Sequence, residues 1–115
     1  MSLPLRQWDV VKVRIDPKDK DEHPAVIISP DEIAADSKNT KINVLYGTSR
    51  RPAAELGTHE VQLNGSDGLE RATVFSCVKV YLVSPEKISA RLGRVGIERR
   101  RQLARKIVAG FRLAL

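Results

Sequence analysis

Residues 72–83 read ATVFSCVKVYLV, a run in which β-branched, aromatic and small or aliphatic side chains are interrupted by a single charge, Lys79. Branching at Cβ stiffens χ1 and suits the pleated surface of a sheet better than the flank of a helix, and neither Gly nor Pro breaks the run. A long strand is predicted here, and the rest of the chain must supply its neighbours. Just before it, Asn64, Gly65, Ser66, Asp67 and Gly68 form a cluster of turn residues. Before those, His59, Val61 and Leu63 alternate with polar residues, the period of a strand with one buried face. Further upstream, residues 42–46 (INVLY) predict a strand that closes on the polar stretch Gly47-Thr48-Ser49-Arg50-Arg51-Pro52. Pro24 opens AVIIS, a short apolar run typical of a strand buried on both faces. Val11, Val13 and Ile15 alternate with Lys12 and Arg14, so residues 8–15 predict the first strand. Residues 16–22 (DPKDKDE) read as an exposed, mobile loop, and residues 31–41 as a polar loop with one helical turn.

Downstream of the long strand the period changes. Ser84 is a good N-cap, Pro85 fits a first helical position and Glu86 suits the positive end of a helix dipole, which predicts a short helix over 85–91. After Gly93 and Gly96, Leu103, Ile107 and Phe111 recur every four residues as the buried stripe of an amphipathic helix. Five to six mostly antiparallel strands followed by C-terminal helices make a mainly β member of the α+β class, a small curled sheet or barrel. At 115 residues the chain is one domain, residues 1–115, with no repeat or linker.

Charge narrows the partners. The net charge is +6, and residues 1–57 hold nine Lys/Arg against nine Asp/Glu, whereas residues 58–115 hold eleven against five. The basic half is the C-terminal one, which suits a polyanion or an acidic protein segment. Cys77 is the only cysteine and lies in an apolar run, so it reads as a buried thiol in a reducing compartment. No stretch reaches the roughly 20 apolar residues of a membrane-spanning helix, and the N-terminus has no apolar signal core, which predicts a cytoplasmic protein without a membrane partner. With Trp8, Tyr46, Phe75, Tyr81 and Phe111 as the whole aromatic set, no broad platform for stacking bases is expected.

Several chemistries are disfavoured directly. No Cys/His cluster has metal-ligand spacing, and no phosphate-binding glycine loop or serine-hydrolase elbow occurs, so neither metal nor cofactor is expected. RNA needs neither, because its own 2′-hydroxyl can attack the adjacent phosphate. An enzyme must then move a proton from that hydroxyl, stabilise the charged transition state and protonate the leaving oxygen. His23, Thr48, Ser49 and Arg50 supply the residue types: an imidazole for proton transfer, and hydroxyls and a guanidinium for the phosphate. The same residues admit plainer roles, with His23 an extended residue before Pro24 and Thr48 and Ser49 satisfying a turn. His59 similarly fits a half-exposed strand position.

In order along the chain, WDVVKVRIDP, HPAVIISPDE, VLYGTSR, THEVQL and the segment from GLERATVFSCVKVYLV to the C-terminus resemble the MazF/PemK family of toxin endoribonucleases. The resemblance spans about residues 7–115. It implies an SH3-like barrel, a homodimer, cleavage of single-stranded mRNA at short sequences without a metal, and neutralisation by an antitoxin. It puts Thr48 at the family's hydroxyl position, with Ser49 beside it, and His23 where the family carries arginine. Arginine is a permanently charged planar fork and histidine a titrating ring, so the two are not interchangeable. The implied catalytic set is therefore His23, Thr48 and Ser49, with Lys18, Lys20, Arg50, Arg51 and His59 contacting RNA. Two other readings stand beside it: a PemK-like module that binds RNA or an antitoxin with weak or no cleavage, and, less favoured, a gyrase poison like the CcdB toxins that share this barrel.

Overall fold

The structure, a computed structural model, describes residues 4–38, 41–49 and 56–114, and of Ser49 the backbone. Six strands carry the fold: β1 (Asp9–Val13), β2 (His23–Ile27), β3 (Ile42–Ser49), β4 (Glu60–Leu63), β5 (Thr73–Val83) and β6 (Ile88–Arg94). Two helices accompany them, α1 (Asp31–Ala34) and α2 (Ile97–Phe111). The strands form one sheet in the order β4-β5-β3-β2-β1-β6, every pair antiparallel. The predicted class holds: a mainly β, curled half-barrel with a C-terminal helix.

Both faces of the sheet are apolar, which explains why its inner strands read as unbroken hydrophobic runs. Val11, Val13, Ala25, Ile27, Ile42 and Val44 pack on one face. Val10, Val26, Leu45, Phe75 and Cys77 pack on the other, where Leu103 of α2 covers them. The long strand β5 serves two neighbours. Its first half pairs with β4 and with the end of β3, and its second half with the start of β3, across a register shift between Leu45 and Gly47.

The seam between the outer strands is pinned by the turn that follows β4. Asn64 and Asp67 form a reciprocal capping box around a 3-10 turn, Gly65–Asp67. Asp67 is wholly buried; its carboxylate accepts from the Asn64 and Gly96 amides and pairs with the Arg99 guanidinium at 3.3 Å. That one side chain joins the turn to the start of α2. Gly68 follows at φ +97°, and a Cβ there would meet the Leu92 carbonyl of β6 at 2.4 Å, so the close approach needs glycine.

Three expectations are corrected. The helix predicted over 85–91 is a single 3-10 turn, Pro85–Lys87, followed by strand β6. Pairing with β1 outweighed the local helix-start signals, and Ile88 joins the buried cluster on one face. The polar stretch after Tyr46 is not a loop at its start, because β3 runs on through Gly47 and Thr48 to Ser49. In α2 the expected stripe is buried only at Leu103; Ile107 is partly covered and Phe111 is 46% exposed.

Candidate active site

Strand parity determines which side chains can meet. Tyr46 pairs with Ala25, so the two share a face, and His23 lies two residues before Ala25 on that same face. Leu45 packs on the opposite face, and Gly47 pairs with Phe75, which also belongs there. Tyr46 and Thr48 therefore point the other way, to the face of His23. The first residue of β2 and the hydroxyl near the end of β3 thus sit on the same side of adjacent strands, and Thr48 is exposed.

His23 is the centre of a small polar and aromatic cluster. Its ring lies 5.0 Å from that of Tyr46, tilted at 55°, and Tyr46 meets Tyr81 edge-on at 5.5 Å. His23 Nε2 is 3.8 Å from Oδ2 of Asp19, the same oxygen that accepts the Tyr46 hydroxyl at 3.3 Å. Burial, and then the Asp19 carboxylate, push the Tyr46 phenol up to about 12, so at neutral pH it is a hydrogen-bond donor and not a base.

On its other side His23 borders a cavity of about 500 Å³. Pro24, Leu69 and Leu92 give it apolar walls, and Lys12, Arg14, Lys20 and Arg71 bring positive charge, offset by Asp21, Glu22 and Glu70. The apolar wall can meet a flat base and the four cations a phosphate, although three carboxylates share the rim.

Of the residues singled out from sequence, His23 and Lys20 meet at this cavity. Thr48 shares the face of His23. Lys18 is exposed in the 16–22 segment and does not line the cavity. His59 is elsewhere: Gly110 of α2 approaches its ring, and a Cβ added there would come 3.4 Å from His59 Nδ1. Of Ser49 the backbone is described, paired with Thr73, while Arg50 and Arg51 lie outside the described residues. Sequence reasoning passed over Asp19, Tyr46 and Arg14. The alternation of Lys12 and Arg14 put both on one face of β1, and the missing fact was that Lys12 pairs with Pro24, so that this face, opposite to the one His23 shares with Val13, lines the cavity that His23 borders.

The 16–22 segment is largely exposed, as expected, and carries several hydrogen bonds. Asp16 accepts from the Lys18 amide through its carboxylate and from the Asp19 amide through its carbonyl, both at 2.9 Å. The Arg14 guanidinium donates to the Lys20 carbonyl at 3.0 Å, and Glu22 accepts from the Ser89 hydroxyl of β6.

Comparison with known proteins follows the same lines. A family model, PemK-like, MazF-like toxin of type II toxin-antitoxin system, matches residues 6–111. A search of curated proteins by sequence finds no match. Among solved structures, the Mycobacterium tuberculosis toxin MazF-mt6 is 18% identical with a TM-score of 0.75, the match covering 93% of this chain and 99% of that one. An endoribonuclease in complex with its cognate antitoxin, from Mycobacterial species, is 13% identical with a TM-score of 0.77, covering 96% and 98%. MazE-MazF from Deinococcus radiodurans gives 14% and 0.75, covering 98% and 100%. At such identities the structural likeness shows a shared fold.

Proposed function

We propose, on the premise that this chain belongs to the PemK-like, MazF-like toxins of type II toxin-antitoxin systems, that it is a metal-independent endoribonuclease cutting single-stranded mRNA at short sequences. The observation that carries this reading is the placement of His23 and Thr48 on one face of adjacent strands, His23 also bordering a cavity of mixed charge that Thr48 does not line. His23 takes the proton of the 2′-hydroxyl as its oxygen bonds to phosphorus. The bond from phosphorus to the 5′-oxygen breaks, that oxygen takes a proton from water, and the His23 imidazolium then gives its own proton back to solvent. The products are a 2′,3′-cyclic phosphate and a 5′-hydroxyl. Thr48 donates a hydrogen bond to a non-bridging oxygen, with Ser49 beside it, and Lys20 and Arg14 hold the flanking backbone, with Lys18, Arg50 and Arg51 as further phosphate contacts.

Three further parts of the reading are an antitoxin partner, a homodimer and a cytoplasmic setting for the single domain over residues 1–115. A structural neighbour is an endoribonuclease held by its antitoxin. Among the described residues no helix is long and apolar enough to cross a membrane. A second reading, a module that binds RNA without cutting it, is favoured by the histidine where the family carries arginine. Purified protein incubated with single-stranded RNA in EDTA separates the two. Cleavage is expected, slowed by roughly 10²-fold or more in His23→Ala and Thr48→Ala. RNA that is bound but left intact at high protein concentration would favour the second reading.

A further inference from the structure

A histidine in place of arginine raises a problem that arginine does not have. The two ring nitrogens of a neutral imidazole differ, and a proton carrier works only when the correct one bears the lone pair. We propose that Asp19 is the positioning residue of His23, holding the ring so that Nε2 carries its proton toward the carboxylate and Nδ1 is left for the 2′-hydroxyl. The inference rests on the nuclease reading for its consequence in catalysis, but its structural content stands apart from that reading.

Four observations carry it. Asp19 Oδ2 faces Nε2 at 3.8 Å, within ion-pair reach of a protonated ring and a few tenths of an ångström beyond a hydrogen bond from a neutral one. The same oxygen is held from the other side by the Tyr46 hydroxyl at 3.3 Å. Tyr46 also packs its ring on the imidazole at 5.0 Å, and Tyr81 supports Tyr46 at 5.5 Å, so ring plane and carboxylate are fixed by one side chain. Finally, the backbone under Asp19 is anchored, by its own amide on the Asp16 carbonyl and by the Arg14 bond to the Lys20 carbonyl. A carboxylate held by a second side chain and facing one particular ring nitrogen orients a proton carrier.

The test has two independent readouts on the full chain. Ring-nitrogen NMR of protein without RNA, at a pH where the imidazoles are neutral, should find His23 predominantly as the Nε2–H tautomer. In Asp19→Asn and Asp19→Ala the Nε2–H fraction should fall to that of a histidine in a flexible peptide, while His59, the other histidine, stays unchanged. In cleavage assays Asp19→Asn should lower kcat by about 10- to 100-fold with KM nearly constant, the size expected when a reacting group is misplaced without loss of binding. Tyr46→Phe, which keeps the ring and removes the donor, should lower kcat by less, and Asp19→Glu should recover part of the loss. An unchanged tautomer ratio in both Asp19 variants would overturn the assignment, as would a rise in KM at constant kcat. Should the wild type leave RNA intact while the tautomer ratio still moves, the nuclease reading fails and the positioning of His23 by Asp19 stands.

Discussion

Gly47 is the position at which fold and site meet, and replacing it with alanine tests both. It lies between Tyr46 and Thr48 and opposite Phe75. A Cβ built there would sit 2.6 Å from Cε2 and Cζ of Phe75 and 2.7 Å from Cγ2 of Thr73. Comfortable carbon contacts begin near ~3.5 Å, so the ring would have to withdraw by about 1 Å. Phe75 is wholly buried among Leu45, Val61, Leu63 and Cys77 and has little space to withdraw into. Overpacking of this kind costs about 1–3 kcal/mol, which for a domain of this size lowers Tm by roughly 4–20 °C. Urea or thermal unfolding of Gly47→Ala, Phe75→Leu and the double variant checks the mechanism as well as the size. Phe75→Leu removes ring atoms next to Gly47, so the two losses should fall short of additivity by about 1 kcal/mol or more. Strictly additive costs, or a Gly47→Ala loss below ~0.5 kcal/mol, would refute the packing argument.

Asp67→Ala strands two backbone amides and the Arg99 guanidinium, and should cost about 3–5 kcal/mol in urea unfolding, with Asp67→Asn milder because one acceptor remains. Tyr46 gives an alkaline signature. Its folded value of about 12 exceeds the ordinary 10.0, so the unfolded chain releases the proton first. That contribution to stability is complete below pH 10 and is lost as the pH rises toward 12. Tyr46→Phe should flatten that slope in unfolding followed by circular dichroism, whereas an unchanged slope would assign it to other groups. Sedimentation at micromolar concentration should find a homodimer; a monomer throughout would remove that part of the functional reading.

Much of this architecture is visible in the order of apolar residues. Alternation at Val11 and Val13, the double-faced run AVII and the twelve residues from 72 to 83 each mark a strand because side-chain period is a local property. The exception is β6. It is an edge strand with only Ile88 buried, and its two arginines reach Asp9, with Arg91 and Arg94 lying 3.1 and 3.6 Å from that buried carboxylate. The partner is remote in sequence, and no local pattern announces it. The same limit governs the site. His23 and Thr48 are recognisable by chemical type, but Asp19 reads as one charge among several in DPKDKDE until the anchoring by Arg14 and the contact with Tyr46 are known. Likewise Tyr46 and Tyr81, far apart in sequence, pack in series with the His23 ring at one point of the sheet.

The measurement that bears most directly on the central claim concerns the substrate. An oligoribonucleotide that the protein cuts in EDTA is resynthesised with a single 2′-deoxy sugar on the 5′ side of the cut. If the 2′-hydroxyl is the nucleophile activated by His23, cleavage at that bond disappears while the all-RNA strand yields a 2′,3′-cyclic phosphate. Undiminished cutting of the deoxy-substituted bond, or a 3′ end lacking the cyclic phosphate at early times, would contradict the account.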